Sequence, residues 1–448
     1  MRCRRSPDLR EAAYDHLHFH LCGAPGADDI EGLRDHHLGM PIAFALIGCG
    51  LALMYYMGFT DPQIVVQNMW DGANSFPLLA VPFFMLAGEF MNAGGMTRRI
   101  IQMAMSWIGH IRGGLGYVAV GAAVIMASLS GSAVADTAAL AAVLVPMMRK
   151  AGYDVNRSCG LIASGGIIAP VIPPSIAMIL YGVTGGVSIT KLFMAGIVPG
   201  LLMGLTLVLV WTVVARRSTS FKPFPKEPWP VRMKALRESG WALVLPVIII
   251  GGLRFGIFTP TEAAAVAAVY ALFVGMFIYR EIKPGHLMKL LVNAATTTSV
   301  VMFLVAAALV TSYMITLADL PKELISLLGP LVDSPTLLMI VLVILLTLVG
   351  TAMDLTPTIL ILAPVLMPVI KEAGIDPTYF GVIFIMVGCA GLLTPPVGTV
   401  LNVVCGVARI RMEDIIKGVW PYVAAYTLLI LLLVIFPQIV TVPMNWFY

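Results

Sequence analysis

Residues 165–175 read GGIIAPVIPPS, and residues 391–402 read GLLTPPVGTVLN. Each sets a double proline beside glycines in the middle of an apolar segment. A proline inside a helix removes one hydrogen bond and clashes with the preceding turn. Two in a row, next to glycines, break the helix. The breaks are themselves a pair. At a constant offset of 222, Pro146, Ala151, Gly152, Asp154, Gly166, Pro173, Pro174, Gly196 and Pro199 return as Pro368, Ala373, Gly374, Asp376, Gly388, Pro395, Pro396, Gly418 and Pro421. The order is fixed and the residues are special ones, so the chain reads as a duplication rather than as a chance self-match of a Gly- and Pro-rich composition.

The composition sets the solvent. The chain has 448 residues, 59% apolar and 12% charged, where soluble domains carry about 25% charged residues. Its mean hydropathy is +0.92. This excludes an ordinary soluble enzyme and predicts an all-α polytopic protein of the inner-membrane type, without a soluble domain of useful size. A net charge of +4 gives no reason to expect nucleic acid as a partner. Cys3, Cys22, Cys49, Cys159, Cys389 and Cys405 form no CxxC pair, so neither a disulfide framework nor a metal centre is expected. No secretory signal peptide is read at the start. Residues 1–37 stand apart as an atypical polar tail with Arg2, Arg4, Arg5, His16, His18, His20, His36 and His37. Nothing there converges on a zinc ion, and the stretch reads as a disordered tail or a displaced start site. The apolar register begins at Leu38 and Gly39, which leaves a first span, 38–57, barely equal to the roughly 20 residues a bilayer needs.

Apolar segments then follow at 76–90, 113–125, 159–181, 192–215, 241–252, 261–278, 292–315, 317–328, 337–348, 357–369, 380–404 and 420–437. They predict ten to twelve full spans plus two pairs of short segments that do not cross. Residues 96–112 are amphipathic, with Arg98, Arg99, His110 and Arg112 framing Ile100, Ile101, Met103 and Trp107, which predicts an arm lying at the interface. Residues 216–239 are basic and should stay cytoplasmic. They divide the repeats, and Pro223, Pro225, Pro228 and Pro230 predict an extended linker. Trp446 and Tyr448 suit an interfacial anchor.

Three kinds of feature carry chemistry. In a bilayer, carbonyls freed by a broken helix must be satisfied by protein, water or ions, and paired broken helices near the midplane are the hallmark of secondary transporters. Pro173, Pro174 and Ser175 mark one candidate site; Thr394, Pro395, Pro396, Val397 and Gly398 mark the other, with Thr399 and Asn402 adding side-chain oxygens. The plain alternative is a kink with a packing role. Ser128, Ser130, Gly131 and Ser132 fall between two short apolar segments, and Gly350, Thr351 and Ala352 fall at the matching place. They read as tips of hairpins that enter and leave the membrane on one side, where hydroxyls and amides meet a carboxylate and carbonyls meet sodium. Serines of this kind also serve as plain helix-packing contacts. Among the acids in apolar sequence, Asp136 and Asp354 follow the tips, and helix capping and ion handling are both open for them. Glu262 follows Thr259, Pro260 and Thr261 at a helix start, where capping is the favoured reading. His110 and His286 lie at polar edges and are not expected as proton relays. GGLGYVAVG sits in a membrane segment and is not a dinucleotide motif. No ATP-binding motif or other catalytic constellation occurs, so no enzyme and no cofactor are expected, and active transport would draw on an ion gradient or a separate ATPase.

The stretches VPFFMLAGEFMNAGGMTRRI (81–100), GGLGYVAVGAAVIMASLSGSAVAD (113–136), GYDVNRSCGLIASGGIIAPVIPPSIAMILYG (152–182), FGIFTPTEAAAVAAVYAL (255–272) and GLLTPPVGTVLNVVCG (391–406) together resemble the large membrane subunit of tripartite ATP-independent periplasmic (TRAP) transporters, the DctM-type permease. The resemblance covers about 38–445, and residues 1–37 depart from it. It implies an elevator-type fold of the ion-transporter superfamily, built from two inverted repeats with re-entrant helical hairpins and broken helices. The first half would span 38–215, with scaffold helices, the interfacial arm, hairpin 1 and a broken helix at 170–175. The linker is 216–239. The second half would span 240–448, with hairpin 2 and a broken helix at 394–398. It further implies sodium as the coupling ion, bound where tips meet broken helices. A DctQ-type small four-helix membrane subunit and a DctP-type periplasmic binding protein would be the partners. The substrate would be an organic acid such as a C4-dicarboxylate, sialic acid or a sugar acid. A stand-alone sodium- or proton-coupled organic anion transporter is the competing reading, distinguished by needing no binding protein.

Overall fold

The computed structural model describes residues 40–58, 61–217, 224–320, 322–323, 325 and 334–447. Residues 1–37, Leu38, Gly39, Gly329, Pro330, Asp333 and Tyr448 lie outside these, as do parts of the linker and of the 317–328 segment. Among the described residues all regular structure is helical. The first half holds α1 (Ile42–Tyr56), α2 (Pro62–Ala73), α3 (Ala80–Ala93, entered through a 3-10 turn at Phe76–Leu79), α4 (Met96–Ile108), α5 (Gly114–Ser130), α6 (Ala133–Lys150), α7 (Val155–Gly166), α8 (Ile176–Gly185) and α9 (Ile189–Arg217). The second holds α10 (Trp229–Arg254), α11 (Pro260–Phe273, continued by a π turn at Val274–Ile278) and α12 (Pro284–Leu317). It goes on through α13 (Pro335–Ala352), α14 (Leu355–Glu372), α15 (Pro377–Gly391), α16 (Thr399–Ala408), α17 (Met412–Ile435) and α18 (Gln438–Phe447).

Eight helical stretches among the described residues are long and apolar enough to cross a membrane, fewer than the ten to twelve expected. The difference has a physical cause. Segments 159–181 and 380–404 read as single spans by hydropathy, but each is two short helices on either side of its double proline. Conversely, α13 and α14, expected to be short, each run to 18 residues. The linker is also shorter than expected. Residues 224–228 form no regular structure, with Pro228 extended, but helix α10 starts at Trp229. Pro230 falls in its first turn, where a missing N–H costs nothing because that N–H has no helical partner.

The residues that recur at the 222 offset have repeated structural jobs. Both ends of α6, Ala133 and Lys150, are displaced by 222 to give both ends of α14, Leu355 and Glu372. Gly152 and Gly374 turn the chain with positive φ after those helices. Asp154 then caps α7, accepting hydrogen bonds from the N–H groups of Asn156 and Arg157 at 2.9 and 3.2 Å. Asp376 caps α15 in the same way, from Thr378 at 2.6 Å and Tyr379 at 3.2 Å. Burial pushes the Asp376 carboxyl up, but those two N–H groups and the Lys191 ammonium 3.5 Å away outweigh it and leave it below its ordinary value. Its contribution to stability is therefore present at neutral pH and fades as pH falls through that lowered value.

α7 and α15 form the centre of the molecule. Residues 158–175 and 378–391 are buried without interruption. The halves interlock around them: α17 packs on α7, α8 on α14 and α15, and α16 on α6. Polar bonds follow the same pattern. Tyr426 Oη donates to the Ser164 carbonyl at 2.8 Å, Tyr181 Oη to the Pro377 carbonyl at 3.0 Å, and Arg149 to the Ala408 carbonyl at 2.9 Å. The first serves the last turn of α7, where the Ile168 N–H bonds to Gly165 and carbonyls lack helical partners. Around this centre, α12 packs along α1, α2, α3 and α14, and α11 packs on α3. α4 is amphipathic as expected, burying Met96, Ile100, Ile101 and Ala104. Its basic face is tied down: Arg98 and Arg99 both meet Glu281, at 2.9 and 2.6 Å.

Candidate functional site

Each hairpin tip rests on the broken helix of its own half. In the first half, α5 ends at Ser130, Gly131 reverses the chain with φ +62°, and Ser132 starts α6. A Cβ on Gly131 would lie 2.5 Å from the Pro174 carbonyl oxygen and 3.2 Å from the Ser175 Cα. Backbone contact between tip and break therefore requires glycine, both for the left-handed turn and for the space. In the second half, the Val397 N–H donates to the Thr351 carbonyl at 3.4 Å. A Cβ on Gly391 would lie 2.7 Å from the Gly350 carbonyl carbon and oxygen. Both double prolines contain a cis Pro–Pro bond.

The side chains at these junctions are mostly self-satisfied. Ser175 is fully buried; its Oγ donates to the Pro170 carbonyl at 2.5 Å and accepts from the Met178 N–H at 3.2 Å, so it caps α8. Ser132 caps α6 through the Ala135 N–H at 3.4 Å. Ser128 bonds back to the Ile125 carbonyl inside α5, one turn short of the tip. Thr351 and Thr394 bond back to Leu348 and Ala390 at 2.7 and 2.9 Å. Asn402 donates to the Val397 carbonyl at 2.8 Å, reaching back across the break from α16. Pro173 and Pro174 are buried, whereas Pro396 and Val397 are exposed, so the second break is the more open.

The acids separate in role. Asp136 does not occupy the cap position of α6, which Ser132 fills. It sits in the first turn, 2% exposed, with Oδ1 accepting from Ser130 Oγ at 2.5 Å. Asp354 does occupy the cap position of α14 and accepts from Thr399 Oγ1 at 3.2 Å, joining hairpin 2 to α16. Glu262 is remote from both junctions. It completes a capping box at the head of α11, receiving the Thr259 N–H at 2.8 Å while Thr259 Oγ1 receives the Glu262 N–H at 3.3 Å. It borders a separate cavity of about 390 Å³ with Thr190, Arg254 and Phe447.

The family model described as tripartite ATP-independent periplasmic transporter, DctM component, matches residues 36–439. The chain belongs to the DctM family. The 2,3-diketo-L-gulonate TRAP transporter large permease protein YiaN of Escherichia coli (strain K12) is 57% identical over 412 residues, covering 91% of this chain and 96% of the relative. The sialic acid TRAP transporter large permease protein SiaM of Vibrio cholerae is 38% identical over 400 residues, covering 89% and 93%. The solved structure of the Alcanivorax borkumensis YdaH transporter, which has an unusual topology, superposes with a TM-score of 0.65 at 15% identity, over 88% of this chain and 96% of that one. That likeness is one of fold. As a DctM-family protein with eight apolar helices of spanning length among the described residues, the chain is a multi-pass inner-membrane permease, and its relatives are transporter permease subunits.

Three residues that packing brings against the tips and Asp136 escape the sequence reading. Gly391 heads the GLLTPPVGTVLN stretch but is unremarkable until Gly350 is seen against it. Asn92 and Thr97 flank the α3–α4 turn and line the same small cavity as Asp136. No sequence signal links them to a residue some forty positions away.

Proposed function

We propose that this permease uses a sodium gradient to import an organic acid delivered by a DctP-type binding protein, assisted by a DctQ-type small subunit. The observation that carries the reading is the twofold junction: Gly131 on the Pro174 carbonyl, and the Gly350–Thr351 backbone on Gly391 and Val397. A tip on a break gathers freed carbonyls, amides and hydroxyls at one place within the apolar sequence, which is what a cation and a carboxylate both require. Sodium is a hard ion and takes the oxygen ligands that such junctions offer. The candidate donors are Ser130, Ser132, Thr351, Thr394, Thr399 and the freed carbonyls beside Pro173, Pro174, Pro395 and Pro396. Bound sodium offsets the charge of the carboxylate between the tips. The cargoes named for YiaN and SiaM are both carboxylates, which supports an organic acid here.

The movement is an elevator of the duplicated units, related as inverted repeats. Hairpins α5–α6 and α13–α14 travel with broken helices α7–α8 and α15–α16; the α16–α6 and α8–α14 contacts between halves support a single moving body. Helices α3, α10, α11 and α12, with the arm α4, brace it, and the basic linker stays cytoplasmic. Ser130→Ala and Thr351→Ala each raise the sodium concentration for half-maximal uptake severalfold in proteoliposomes. Unchanged sodium dependence in both folded variants contradicts the assignment of the tips.

A further inference from the structure

The second carboxylate oxygen of Asp136 is unaccounted for by the hairpin. Its residue is 2% exposed, and among the described residues Oδ2 has no hydrogen-bond partner. The carboxylate lines a cavity of about 10 Å³ between hairpin 1 and the α3–α4 turn, with Gly88, Asn92, Thr97 and Ser130 among its walls. That volume is roughly one water-sized sphere. The cavity opens beside Asn92, which is exposed and accepts from Thr97 Oγ1 at 2.8 Å. No cationic side chain lines it. Arg98 and Arg99, the next basic residues along α4, are committed to Glu281. A buried carboxylate without a counter-charge is costly, and a single water supplies a hydrogen bond but no charge.

We propose that this cavity is a binding site for one dehydrated sodium ion, with Asp136 supplying the negative charge and Thr97 and Asn92 supplying oxygens from the opposite wall. It lies beside the tip–break junction and uses a separate wall, formed by α3 and α4. A bound ion therefore joins hairpin 1 to the neighbouring α3–α4 turn, and its occupancy holds the hairpin in this position. The proposal rests on the sodium-coupling reading for the identity of the ion, but not on the ligands at the tips.

The test is equilibrium binding of 22Na+ to the purified full chain, with sodium-dependent protection against heat unfolding measured against choline. Asp136→Asn, which keeps the shape and removes the charge, binds one sodium fewer than the wild type and loses part of the protection. Thr97→Ala raises half-saturating sodium about tenfold, the usual scale for removing one supporting group at a metal site; it serves alone if Asp136→Asn does not fold. Full wild-type stoichiometry and half-saturation in Asp136→Asn, or in Thr97→Ala where it stands alone, overturn the site. They leave the tip reading standing if Thr351→Ala, which does not line this cavity, still shifts binding. Loss in Asp136→Asn with an unshifted Thr351→Ala supports the site and removes the second tip as a sodium ligand. Absence of any sodium binding in the wild type overturns both.

Discussion

Gly391→Ala reduces uptake by at least about tenfold while the protein still inserts and folds. The added Cβ would lie 2.7 Å from the carbonyl carbon and oxygen of Gly350 and 2.8 Å from its Cα, so the three nearest atoms are all backbone and none can rotate away. Hairpin 2 must withdraw from the broken helix. Overpacking of this kind costs about 1–3 kcal/mol, and about 1.4 kcal/mol taken from the transport-competent arrangement is already a tenfold loss. The adjoining Val397-to-Thr351 hydrogen bond, long at 3.4 Å, is lost with it. The check is sodium-driven uptake per unit of folded protein, alongside the melting temperature in detergent. Uptake within twofold of the wild type shows that close approach of tip and break is not required.

Gly131→Ala has the larger effect of the two, because two costs add. An alanine at φ +62° carries about 1–2 kcal/mol of backbone strain. Its Cβ also falls 2.5 Å from the Pro174 carbonyl oxygen, one of the groups freed by the break. The tip therefore shifts, and Ser130 and Ser132 shift with it. Uptake falls by about a hundredfold, on the scale of about 1.4 kcal/mol per factor of ten. Pro174 and Ser175 are buried, so the strain has no route to solvent. Gly131→Asn, which tolerates positive φ better, is expected to remain impaired because its Cβ meets the same oxygen. Recovery in Gly131→Asn assigns the loss to backbone strain alone.

The duplication, the two breaks and the two tips are legible in the chain because prolines, glycines and short polar runs have few uses inside apolar sequence. The number of spans is less so. Hydropathy integrates over a segment and runs straight through a double proline, so 159–181 and 380–404 each look like one helix and are two. The linker misleads for the opposite reason. Four prolines suggest extended chain, but Pro230 falls in the first turn of α10, where proline is tolerated. The acids show the limit of position along the chain. Asp136 and Asp354 each follow a tip, yet only Asp354 takes the cap position, because Ser132 already fills it in the first hairpin. The wall opposite Asp136 comes from Asn92 and Thr97, on a turn that only the packing of α3, α4 and α5 brings near.

We propose that this permease moves an organic acid only when a binding protein delivers it and sodium drives it. The direct measurement is uptake of a labelled organic acid into proteoliposomes holding the chain and its small subunit, with an inward sodium gradient and the cognate binding protein outside. The acid is first selected by its thermal shift of that binding protein. Uptake that stops when either sodium or the binding protein is withheld is the predicted result. Full uptake of the free acid without the binding protein, or with the sodium gradient collapsed, contradicts it.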